Sequence, residues 1–103
     1  MALILSNTET PITVSGTTIE LPEVYNRLEF GCRSNGITME IAFSTYENSA
    51  MYQSGSMVQT NVPITNYTAD IDPLTQVQSV ESAHELAKTY YEGLGYTVVI
   101  DLA

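Results

Sequence analysis

Residues 23 to 44 constrain the fold more tightly than any other stretch. In EVYNRLEFGCR, Val24, Asn26, Leu28, Phe30 and Cys32 alternate with Tyr25, Arg27, Glu29, Gly31 and Arg33. In ITMEIAFS, Ile37, Met39, Ile41 and Phe43 alternate with Thr38, Glu40, Ala42 and Ser44. A period of two belongs to a strand with one face on a core. Between the runs lies Ser34-Asn35-Gly36, and an Asn-Gly pair tolerates the positive φ that a tight hairpin turn demands. The pattern predicts an antiparallel hairpin. Strict alternation puts Cys32 on the apolar face with Leu28 and Phe30, as a small buried hydrophobe. Arg27 and Arg33 then share the other face with Glu29, within cross-strand reach of Glu40.

Three further elements follow from local patterns. ITVSGTTIEL holds two β-branched runs around Ser15-Gly16, the signature of a second hairpin. From Val80, the positions Val80, Ala83, Leu86, Ala87, Tyr90, Tyr91 and Leu94 fall on one side of a helical wheel, opposite Glu81, Glu85, Lys88 and Glu92. Ser79 suits the N-cap, Glu81 the positive end of the helix dipole, and Gly93 or Gly95 the stop. YTVVIDL, residues 96–102, is apolar on both faces at its centre and predicts a closing strand with neighbours. Residues 45–61 are rich in turn formers and predict a loop or short helical turn, then a strand. ITNYTADI, residues 64–71, predicts another strand, ended by Asp72-Pro73. The expected class is α+β: an antiparallel β-sheet built from hairpins, one amphipathic α-helix packed on it, and a C-terminal strand. Residues 1–103 are expected to form a single domain, with residues 1–10 as either an extended N-terminal arm that adds a strand to a neighbour, the favoured reading, or an edge strand of the chain's own sheet.

Charge narrows the partners. Twelve acidic residues face three basic ones, Arg27, Arg33 and Lys88, for a formal net charge of −9. Nucleic acid and anionic membrane surfaces both require clustered Lys and Arg, so neither is an expected partner. Charged residues make up only 15% of the chain, against roughly 25% in a typical domain, and Thr, Ser, Asn, Gln and seven Tyr take their place. A Lys-poor, Tyr-rich surface is the composition of protein contact, which favours a subunit of an assembly. No apolar run approaches the ~20 residues needed to cross a bilayer, and MALIL is too short for a secretory signal. The expectation is synthesis in a cytoplasm without an anchor.

Candidate chemistry is thin. One cysteine makes no internal disulfide, and a Cys32–His84–Asn35 thiol site would need an exposed, electropositive cysteine that the alternation does not provide. His84, the only histidine, sits at the border of the helical stripe between Glu81 and Glu85 and reads as a satisfied boundary residue rather than a metal ligand. Asp70 and Asp72 place hard oxygens at alternate positions, as a Ca²⁺ site would, but lack the glycine and later glutamate of an EF-hand loop. Turn capping is their simpler meaning. No phosphate loop, nucleotide fingerprint or serine elbow is present. The expectation is no enzyme and no cofactor or metal.

TPITVSGTTIELPEVYNRLEF, IAFSTYENSAMYQSGS and the ending SAHELAKTYYEGLGYTVVIDL together resemble, in layout, the small structural proteins of tailed-bacteriophage virions. The resemblance implies a non-enzymatic virion subunit, made in the host cytoplasm, in the tail or baseplate region or as a capsid decoration. Its partners would be other virion proteins, in a homo- or hetero-oligomer. An acidic, free-standing regulatory or inhibitory binding protein is the first alternative, and a small hydrolase the next. The expected contact residues are Leu3, Ile4 and Leu5 of the arm, offered to a neighbour as an added strand, and Tyr46, Met51 and Tyr52 of the polar loop.

Overall fold

The computed structural model describes residues 1–7, 9–33, 38–63, 66–70 and 80–102. Its elements are β1 (Ala2–Ser6), β2 (Ile12–Thr13), β3 (Glu20–Leu21), β4 (Val24–Arg33), β5 (Thr38–Tyr46), α1 (Ser49–Ser54), β6 (Asn66–Asp70), α2 (Val80–Gly93) and β7 (Thr97–Asp101). Five strands form one sheet in the order β6-β5-β4-β1-β7, and β2 pairs with β3 in a separate two-stranded sheet. Every pairing is antiparallel. With α2 packed on the sheet and β7 joining it, the α+β class read from the sequence is the class observed.

The hairpin β4–β5 forms, although its Asn35-Gly36 turn lies outside the described residues. Its register is not uniform. Leu28 pairs with Phe43, but Phe30 pairs with Ala42, so a bulge at Glu29 adds one residue to β4. Beyond it Cys32 stands opposite Glu40 and Arg33 opposite Met39. The alternation expected to run unbroken from Val24 to Cys32 is therefore interrupted in register at Glu29, and the side chain of Cys32 lies outside the described residues. The first hairpin also forms, with Gly16 at φ 78° in the turn that Thr17 closes onto the Val14 carbonyl at 3.0 Å.

Of the two readings of the N-terminal segment, the structure shows the strand in the chain's own sheet rather than the arm for a neighbour, and as a central strand rather than an edge. β1 lies inside the sheet, Leu3–Leu5 pairing with β4 and Ala2–Ser6 with β7, so both of its edges are hydrogen-bonded within the chain. Leu3 and Leu5 are fully buried. Five apolar or small residues at a chain end minimise their free energy by completing the chain's own core, and no edge remains for a neighbour.

α2 covers the face of the sheet that carries Leu3, Leu5, Val24, Ile41, Phe43 and Val98. Ala83 and Ala87 are fully buried, their small side chains letting the helix lie close to the strands. The buried stripe is Ala83, His84, Ala87 and Tyr91, while Val80 and Leu94 at the helix ends are 57% and 47% exposed. The stripe is thus rotated toward His84 from the one read on the wheel. The chain leaves the helix through Gly95 at φ 98°, where the Tyr96 amide returns to the Tyr91 carbonyl at 3.1 Å. Ser79, the expected N-cap, lies outside the described residues.

Asn26, Ser44, Thr45 and His84 are the buried polar residues among those described. Asn26 is fully buried, and neither its Oδ1 nor its Nδ2 meets a hydrogen-bond partner. Each unmet group costs about 1–3 kcal/mol. Asn26→Leu keeps the heavy-atom branching and removes both debts, so we expect it to stabilise the fold by about 1–3 kcal/mol, read as a higher urea midpoint. A lower midpoint would show that the amide is satisfied in solution.

Candidate functional site

The face of the sheet away from α2 is built by register. Val99 of β7, Ile4 of β1, Tyr25 of β4 and Tyr46 of β5 are direct cross-strand partners, one to the next, so their side chains form a single row. Strand parity puts this row opposite Leu3, Leu5, Val24 and Val98 of the core. Exposure falls along it from Val99, 56% exposed, through half-buried Ile4 to buried Tyr25.

α1 shields the tyrosine end. It is a six-residue helix fixed by its termini: Asn48 Oδ1 accepts from the Met51 amide at 3.0 Å, and Gly55 takes φ 76° so that the Ser56 amide reaches the Met51 carbonyl at 2.9 Å. Tyr52 from this helix meets Tyr46 edge-on with centroids 5.2 Å apart and tilts against Tyr25 at 6.0 Å. Arg27 lays its guanidinium 4.4 Å from the centre of the Tyr52 ring and donates to the Tyr25 hydroxyl at 3.3 Å. Burial acts to lower the pKa of Arg27, but the Tyr25 hydrogen bond and the fields of Tyr52 and Tyr25 outweigh it and hold the pKa above its ordinary value. A cation over a tyrosine is worth about 0.5–2 kcal/mol, so Arg27 serves to fasten α1 to the sheet.

Beside this cluster is a cleft of about 220 Å³. Ile4 and Tyr25 supply apolar wall, Asn48 at the start of α1 one rim, and Glu23, Glu47 and Asp101 the charge. Among the described residues Glu23 and Glu47 meet no cation; Lys88 pairs with Glu92 on α2 at 3.1 Å and Arg27 with the tyrosines. The cleft is sized for one long side chain rather than for a drug-sized ligand.

The residues singled out in the sequence disperse. Leu3 and Leu5 belong to the core, Ile4 to the outer row, Tyr46 and Tyr52 to the half-buried cluster, and Met51 is 39% exposed on α1. The strand expected after α1 is reduced to two isolated bridges, Tyr46 with Met57 and Val14 with Thr60. His84 is not a boundary residue: it is 1% exposed, edge-on to Phe43 with centroids 5.3 Å apart, and its Nδ1 donates to the Val80 carbonyl at 2.7 Å, leaving Nε2 without a partner. Asp70 is exposed at the end of β6, while Asp72 and Asn35 lie outside the described residues. Among the described residues no three His, Cys, Asp or Glu are placed to hold a metal, and no helix is long and apolar enough to cross a membrane.

Sequence reasoning missed Val99, Tyr25, Glu23, Glu47 and Asp101 as parts of one surface. Tyr25 and Arg27 were legible as neighbours on one strand face, but joining them to Ile4 and Val99 requires the strand order. Comparison with known proteins finds no matching family model, no matching curated protein and no matching solved structure.

Proposed function

We propose that the chain is a non-enzymatic structural subunit of a tailed-phage virion that works by protein–protein contact, in the tail or baseplate region ahead of a capsid decoration. The observation that carries a contact role is the outer sheet face: a row of apolar and aromatic side chains, stiffened by α1, ending beside an acidic cleft. Rigid aromatic and aliphatic surface next to a polar rim is the composition of a contact patch. The position within a virion is supported by the resemblance in layout and by the low charge content of the chain.

The test is co-purification. Particles banded on a density gradient from producing cells are expected to carry the chain at a fixed copy number, measured by quantitative mass spectrometry. Its recovery only from the soluble lysate would overturn the virion reading and favour the free-standing acidic binding protein.

A further inference from the structure

We propose that β7 is the contact between two copies of this chain, which pair edge to edge about a two-fold axis at Val99 and make one continuous antiparallel sheet. This names the partner for the contact role above and rests on that role rather than on the virion. Three observations carry it.

The first is the edge. Among the described residues β7 has one strand neighbour, β1, and its register from Thr97 to Asp101 runs without a bulge. TVVID holds no proline and no lysine, and its centre is β-branched. Bulges, prolines and lysines are the devices that blunt a strand edge, so β7 keeps a regular edge on which another strand can be laid. The second is the register. In an antiparallel pair centred on Val99, that residue meets its own copy, Val98 meets Ile100, and Thr97 meets Asp101. One residue further out, Leu102, 78% exposed, comes opposite half-buried Tyr96. Tyr96, Val98 and Ile100 already pack in or against the core, and Leu102 has their parity, so every cross-copy pair on that face is apolar. On the opposite face exposed Val99 joins the two rows of Tyr46, Tyr25, Ile4 and Val99 end to end. The third is charge. Each copy carries −9, yet Asp101, the one charged residue of β7, faces a threonine. The two Asp101 residues stand four positions apart along the ladder, about 13 Å, beyond the Debye length of about 8 Å at physiological salt. No like charges are directly opposed within the ladder, and the remaining repulsion between the copies is of the kind that salt screens. A five-residue ladder lies at the small end of interface size, below about 1,200 Å² in total, so the dimer is expected at micromolar chain concentrations.

Sedimentation of the full chain over a concentration series is expected to show a monomer–dimer equilibrium that tightens as salt rises. A monomer throughout would overturn the proposal, as would a dimer that salt loosens, since opposite charges would then hold it. Val99→Glu sets two carboxylates directly opposite each other and should raise the dimer Kd about tenfold. Met57→Glu adds the same charge at another exposed apolar position, bridged to Tyr46 of β5, and should leave the Kd unchanged. Equal weakening by both would reduce the effect to net charge and overturn the proposal. Oxidation reads the register. Val99→Cys brings two thiols face to face and should give a covalent dimer on a non-reducing gel, beyond any that the wild type forms through Cys32. Thr97→Cys holds its thiols about 13 Å apart, past the ~7 Å Cα separation that a disulfide spans, and should not. Cross-linking of Thr97→Cys instead of Val99→Cys would defeat the two-fold at Val99. Melting curves check that each variant folds, and the cysteine variants change no charge, so they decide the matter even if Val99→Glu unfolds. Particles that carry a chain which stays monomeric defeat this inference alone; a dimer missing from particles defeats the virion reading alone.

Discussion

Deleting residues 2–5 is expected to abolish the folded state. The deletion removes Leu3 and Leu5, both fully buried, and each such side chain contributes about 1.5–3 kcal/mol by burial alone. It also severs the sheet: β1 is the strand through which β7 reaches β4, so its loss strands β7 and exposes the edge of β4. A domain of this size has roughly 5–15 kcal/mol of stability in total. The far-ultraviolet circular dichroism of the deletion should be that of an unfolded chain at 25 °C, without a cooperative melt. The milder Leu5→Ala should cost about 2–5 kcal/mol and leave a melt at lower temperature. A deletion that melts near the wild-type temperature would mean that the segment lies outside the fold in solution.

The second large effect centres on Tyr91. It is fully buried on α2, edge-on to Tyr90 at 5.1 Å and to Tyr96 at 6.0 Å, and its hydroxyl donates to the Pro63 carbonyl at 3.3 Å. Tyr91→Ala should cost about 3–5 kcal/mol, the range for emptying an aromatic site in a core. Tyr91→Phe keeps the ring and should cost about 0.5–1.5 kcal/mol at neutral pH.

The two substitutions also separate by pH. Burial, and then the neighbouring Tyr90 and Tyr96, hold the Tyr91 hydroxyl well above its ordinary value of 10.0. The unfolded chain therefore releases this proton near pH 10 while the folded chain retains it. The associated stability is complete below pH 10 and is lost as the pH rises beyond it. Urea midpoints should fall above pH 10 in the wild type and fall less steeply in Tyr91→Phe. Parallel curves would show that Tyr91 ionises as easily folded as unfolded.

Local order was legible because it is local. The period-two runs gave β4 and β5, the glycine at position 16 gave the first turn, and the period-3.6 stripe with its glycine stop gave α2. Each rests on the geometry of a few consecutive residues and on whether they tolerate a given φ. Composition likewise carried the sign of the charge, and with it the expectation that polyanions are not partners.

What the sequence could not show are the relations between distant segments. Apolar residues 2–5 suit an arm for a neighbour as well as a central strand; burial between β4 and β7 decided between them. VVI in β7 reads as buried on both sides, yet β7 has one strand neighbour in the sheet and Val99 stays exposed. The bulge at Glu29 leaves no mark in the alternation, because it is defined only against the partner strand. The candidate surface is of the same kind. Val99, Ile4, Tyr25 and Tyr46 stand up to 95 positions apart in the chain and become one row only through pairing of β7, β1, β4 and β5. Sequence determined the elements, since propensity and periodicity act within a few residues; the tertiary structure alone decided which faces were covered, since burial depends on what else the chain brings to each face.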